Sequence, residues 1–303
     1  MGPFRVALAV AVALGLGSSG MAARPSLAIQ TDDVTRFFEI YDAANGLPKA
    51  GILQQQYIEP GSPGLHDFIP YRIVSGENLA ASIARSPDMY RRARECLRII
   101  PDTKSRLYRA LGRLKHAYPS ARLAPVTILV GAGNSGGTSG PSGVIIGLEV
   151  ACSADWLQTD LSDRLFVLVM HEYGHVQQSA ELNSEAAPST VLRQSLIEGV
   201  AELVAKLTTG EVSNSHLAKW TRGRELQIDA AFLKEVDSSD LSHWLYNGEG
   251  TPEKPGDLGY WVGYRIAKAY YDKAHDKRAA LKALLELKDP KAILAASGWK
   301  PGA

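Results

Sequence analysis

Cysteine is nearly absent from this 303-residue chain, with Cys96 and Cys152 alone. A cysteine-built metal knot or a disulfide-rich scaffold is therefore excluded. The two thiols neighbour no second cysteine at a metal-binding spacing, which leaves one bridge or two buried thiols. Charge of one sign is also missing: the formal net charge is +1, and no basic run interleaves with aromatic residues. No nucleic-acid surface is expected, and Lys219, Arg222 and Arg224 read as a solvated helix face. Beyond the amino terminus no apolar run approaches the roughly 20 residues of a membrane span, so no stable membrane partner is expected.

At the amino terminus, Arg5 precedes the apolar stretch Val6 to Leu16 and the small residues Ser18, Ser19, Gly20, Ala22 and Ala23. This is the pattern of a secretory signal peptide over residues 1–23. The expectation is an exported protein, periplasmic or secreted. Residues 24–303 read as a single unit, with a mainly helical part (24–120) followed by a small sheet and further helices (121–303).

Helical patterns run over Val34–Ala44, Asp88–Ile100 and Thr103–Tyr118, whereas Gly61 to Gly76 reads as a long loop with short ordered pieces. β-Branched residues crowd at Val126–Val130 and again at Val144–Val150. The six glycines and Pro141 between Gly131 and Gly143 suggest a wide turn joining two strands. Asp160–Ala180 is the expected central helix, followed by helices over Ser189–Thr208, Asn214–Glu235, Gly259–Ala274 and Lys277–Leu287. Gly174 inside the central helix suggests close packing of a neighbour.

The apolar run Leu165–Met170 leads into His171-Glu172-Tyr173-Gly174-His175, an H-E-x-x-H motif. Positions four apart share a helix face, so two imidazoles can point at one zinc ion, with Glu172 beside a metal-bound water as general base. A catalytic zinc needs a third protein ligand. Glu198 and Glu202 lie on one face of the apolar segment Leu196–Ala205, making Glu198 the candidate ligand and Glu202 the candidate partner of a ligand imidazole. Glu181 and Glu185 are alternative third ligands. The run Gly133-Asn134-Ser135-Gly136-Gly137 lacks both the register of a serine nucleophile elbow and the lysine of a phosphate cradle.

With the strings at His171–His175 and Glu198–Glu202 in hand, the chain resembles the glutamate-zincin metallopeptidases. Over roughly Val126 to Asp272 it is similar to a family of predicted zinc-dependent proteases. The resemblance implies a mainly helical α+β zincin-like fold, with a small sheet beside the H-E-x-x-H helix. It also implies Zn2+ held by His171, His175 and Glu198, peptide-bond hydrolysis with Glu172 as base, and a peptide or protein substrate. Gln178 and Glu181 stand where a metzincin has glycine and a third histidine, which disfavours that class. A downstream tyrosine or histidine often stabilises the oxyanion in zincins; Tyr264 and Tyr260 are the main candidates and His243 a minor one. The resemblance also suggests that Val144–Val150 is the edge strand lying along the substrate. The alternative is an exported, non-catalytic zinc-containing module that binds peptides or acts as a chaperone.

Overall fold

A computed structural model describes residues 29–154, 157–179, 182, 189–248, 250–251 and 253–302. The signal-peptide reading and the alternative ligands Glu181 and Glu185 lie outside the described residues. The fold is α+β and mainly helical, with one four-stranded sheet set against the helix that carries the histidines.

The first part is built of strand β1 (Ile29–Gln30) and helices α1 (Asp32–Ala43), α2 (Ala50–Leu53), α3 (Pro63–Phe68), α4 (Gly76–Arg85), α5 (Pro87–Cys96) and α6 (Ile100–Ala117). The supposed loop at Gly61–Gly76 is instead helical. Ser62 caps α3 by accepting from Leu65 N, and a π-helical turn, Ile69–Ile73, continues it. Leu65, Phe68 and Ile73 are buried and anchor this segment, an apolar spacing that the surrounding Gly and Pro obscure in the sequence.

The sheet adds β2 (Val126–Leu129), β3 (Gly137–Gly140) and β4 (Gly143–Gly147) in the order β1-β2-β4-β3. Strands β1, β2 and β4 are parallel; β3 runs antiparallel to β4, with Gly137 opposite Ile146 and Gly140 opposite Gly143. Two expectations are corrected. The strand expected over Val144–Val150 ends at Gly147 and lies inside the sheet, where Val144, Ile145 and Ile146 are buried, and the chain turns at once into α7 (Leu148–Ser153). The edge beside α8 is β3, within the glycine-rich run read as a turn; β1 forms the opposite edge.

Helices α8 (Leu161–Gln177) and α9 (Val191–Thr209) form the centre, followed by α10 (Ser215–Trp220), α11 (Glu225–Glu235), α12 (Leu258–Lys273), α13 (Lys277–Glu286) and α14 (Pro290–Ser297). The single helix expected over Asn214–Glu235 is thus two, broken where Gly223 takes φ +78°. Asp160 starts α8 by accepting from Asp163 N at 2.8 Å, and Thr190 starts α9 by accepting from Arg193 N. Gly174 packs against α9, where a Cβ would come within 2.6 Å of Ala201 Cα. Gly199 and Gly263 make a second close crossing, of α9 on α12. Helix α9 therefore lies between α8 and α12, while β3 and β4 face the other side of α8.

Cys96 and Cys152 form a disulfide joining α5 to α7, with Cα atoms 6.4 Å apart. Closing a loop of 56 residues is worth about 4 kcal/mol in the chain-entropy account. Next to the bridge, Glu149 is fully buried and accepts from Gly131 N at 2.8 Å and Gly133 N at 3.1 Å. Burial pushes its carboxyl up to about 7, against the pull of those two amides. A carboxyl raised on folding binds more protons in the native state between its unfolded and folded values. Its contribution to stability is therefore lost as pH rises from about 4.3 toward 7. Subtracting the denaturation profile of Glu149→Gln from that of the native sequence is expected to isolate a term on the order of 3 kcal/mol with this sign. A flat difference between pH 4.5 and 7.5 would contradict it.

Candidate metal centre

His171 and His175 lie one turn apart on α8, near its carboxyl end, and Glu198 meets them from α9 across the Gly174–Ala201 contact. The two Nε2 atoms are 3.2 Å apart, and Glu198 Oε2 lies 3.1 Å from His175 Nε2 and 3.4 Å from His171 Nε2. All three donor atoms fall within 4.8 Å of one another. Two nitrogens bound tetrahedrally at zinc distances would be about 3.3 Å apart. The donor set and its spacing fit a zinc ion with one side open to the cleft.

The outward nitrogens explain which ring atoms face the centre. Gln178 Nε2 donates to Ile197 O at 2.7 Å, so its Oε1 is the atom that meets His175 Nδ1 at 2.9 Å. Nδ1 must then carry the proton, which leaves Nε2 of the neutral ring bare for a metal. Glu202 Oε1 stands 3.4 Å from His171 Nδ1, within ion-pair range but without the alignment of a hydrogen bond. Glu202 is in turn held by Ser213 N at 2.7 Å, by Asn214 Nδ2 at 2.8 Å and by the Ser213 hydroxyl.

Burial pushes both imidazoles down, but the Glu198 carboxylate, joined at His171 by Glu202, outweighs it and holds both above the ordinary histidine value. Glu198 mirrors this: burial raises it, yet His175 and His171 hold it below the usual carboxylate range. In the metal-free protein the raised histidines add stability below their unfolded value near 6.5. That stability is lost as pH rises through their folded values. Zinc needs neutral imidazoles, so loading at pH 7 is expected to release protons, and affinity is expected to climb with pH. Calorimetric titration in two buffers of different ionisation enthalpy measures this; identical apparent heats would refute it.

Glu172 is buried beside the cluster, and burial raises its carboxyl against the opposing pull of His175, His171 and Arg72. Strand β3 passes directly over it: a Cβ on Gly137 would lie 2.7 Å from Glu172 Oε1. The cleft has a volume of about 520 Å³ and is walled by His171, Glu172, His175 and Glu198, by Asn134, Ser135 and Gly137–Ser139, and by Arg72, Gln194, Ile197, Tyr246 and Tyr260.

Of the residues expected from sequence, the structure brings His171, Glu172, His175, Glu198 and Tyr260 to one cleft and places Glu202 behind His171. The Tyr260 ring lies 6.1 Å from that of His171 at an interplanar angle of 21°. Tyr264 does not line the cleft; its ring stacks on Trp261 at 5.2 Å. His243 is exposed and pairs with Glu235 at 3.1 Å, away from the cluster. Sequence reading missed Tyr246, whose hydroxyl donates to Glu198 Oε1 at 2.9 Å. Its backbone is left-handed, with φ +56°, and it sits in a connector without periodicity, so no sequence signal marked it. Gln178 was read only as a departure from another motif, and Arg72 was not singled out.

Residues 122–291 match a family model described as predicted Zn-dependent protease (DUF2268). No curated protein and no solved structure matches the chain.

Proposed function

We propose, since the chain belongs to the DUF2268 family of predicted Zn-dependent proteases, that it is a zinc metallopeptidase cleaving peptide bonds at the His171–His175–Glu198 centre. The observation that carries this reading is the convergence of two imidazole nitrogens and one carboxylate on a cleft wall beside a buried, unligated carboxyl, Glu172. A purely structural zinc is normally closed by four protein ligands and needs no neighbouring base, which weighs against a non-catalytic binding module.

When bound, zinc supplies Lewis acidity, polarising the scissile carbonyl and making a water acidic enough to serve as nucleophile near neutral pH. Glu172 takes the proton of that water and returns it to the leaving amine, a role suited to a carboxyl raised by burial. Tyr260 is better placed than Tyr264 to donate to the developing oxyanion, since only Tyr260 lines the cleft. Tyr246 holds Glu198 by its outer oxygen, and Gln178 and Glu202 orient the two imidazoles. Strand β3 offers the edge along which an extended peptide can add backbone hydrogen bonds.

Export to a periplasmic or extracellular compartment fits the leader-like amino terminus, and the Cys96–Cys152 bridge supports it. The expected result is that purified protein hydrolyses members of a broad peptide library, loses activity to a chelator and regains it with zinc. No turnover across the library by zinc-loaded protein would favour the binding module.

A further inference from the structure

We infer that Arg72 makes this cleft selective for peptides carrying a carboxylate close to the scissile bond, an inference set in the proposed peptide cleft and resting on that reading. The first observation is charge. The ion pairs of arginine among the described residues engage Arg36, Arg91, Arg94, Arg106 and Arg265. Arg72 takes part in none of them, although it is half-buried. It is also the one Lys or Arg among the described residues lining the cleft that holds Glu172.

The second observation is position. A hollow of about 620 Å³ adjoins the cleft, and both are lined by Arg72, Thr138 and Ser139. A peptide lying along β3 past Glu172 therefore passes Arg72, whose planar fork of donors matches a carboxylate. Asn134 Nδ2 pins the backbone here by donating to Arg72 O at 3.0 Å.

The third observation is strain. Arg72 lies in the π-helical turn Ile69–Ile73, and two residues on Val74 has φ +68° and ψ −60°, a rare conformation for a β-branched residue. Ser75 N donates to Ile73 O at 2.9 Å, closing a tight γ-turn, and Asn78 Nδ2 holds the same carbonyl at 2.9 Å. Strain of this kind persists where surrounding contacts impose it, and it concentrates at ligand clamps.

Two sources offer the carboxylate: an Asp or Glu side chain, and the free α-carboxylate of a peptide end. The test is equilibrium binding of fluorescein-labelled peptides to zinc-loaded Glu172→Gln protein, which separates recognition from turnover. One pair of peptides differs by Glu against Gln, the other by a free against an amidated carboxyl terminus. We expect at least about tenfold tighter binding of the acid member in one pair, weakened by salt. Arg72→Ala is expected to erase the ratio and Arg72→Lys to keep part of it. The pair that discriminates identifies the source. Equal affinities in both pairs, or a ratio that survives in Arg72→Ala, overturn the inference. A ratio that depends on Arg72, with no hydrolysis of the same peptides by the native sequence, leaves carboxylate recognition standing and overturns the peptidase reading instead.

Discussion

Glu172→Gln is expected to lower peptide hydrolysis by about 10³-fold, within the range for removing a general base, while zinc stays bound in equal stoichiometry. The amide has the shape of the carboxyl it replaces and fits the same space under Gly137, so neither β3 nor the α8 crossing has reason to move. What it lacks is the basic oxygen. Because Glu172 is not one of the three converging ligands, its charge can be removed without emptying the centre. Single-turnover kinetics together with metal analysis test this. Activity near that of the native sequence would remove Glu172 from the chemistry, and loss of zinc with loss of activity would make it part of the metal shell.

Glu198→Gln is expected to weaken zinc binding by more than about 100-fold, beyond the 10–100-fold typical of a residue that only orients a ligand. The substitution removes the one anionic donor of the set. It also disturbs Tyr246, whose hydroxyl donates to Glu198 Oε1. In the metal-free protein it removes the leading partner that holds His175 up, so that histidine should titrate at lower pH. Competition with a chromophoric chelator measures the affinity, and histidine chemical shifts followed against pH measure the titration. Unchanged affinity would transfer the third ligand to another carboxylate, with Glu181 and Glu185 first in line.

Local spacing made much of the centre legible. An i, i+4 pair of histidines after an apolar run says where two ligands point, and Glu198 and Glu202 in an apolar helix announce carboxylates that need partners. Gly174 was readable too, because glycine inside a buried helix costs stability unless something packs on it, and Ala201 does. Other features were hidden by composition. The glycine-rich run Gly131 to Gly143 reads as a turn, yet its four residues Gly137–Gly140 pair with β4 as the sheet edge, where ladder hydrogen bonds substitute for propensity.

The tyrosines mark the limit most clearly. Tyr260 and Tyr264 share a helix face, so helical phase cannot separate them. One turn carries Tyr264 about 6 Å farther along α12, and the Gly263–Gly199 crossing falls between the two, leaving Tyr260 in the cleft and Tyr264 against Trp261. Residue types and short-range periodicity, acting through backbone geometry alone, were enough to specify the paired histidines, the carboxylate that joins them in a candidate metal cluster and the helices that bear all three. The partners reaching in from afar, Tyr246 to Glu198, Arg72 over β3, Cys96 to Cys152 and the Ile197 carbonyl that turns Gln178 toward His175, depended on how α8, α9, α12 and the sheet close on one another. Those contacts join residues far apart along the chain or set by helix crossings, and their positions follow from packing that no local pattern encodes.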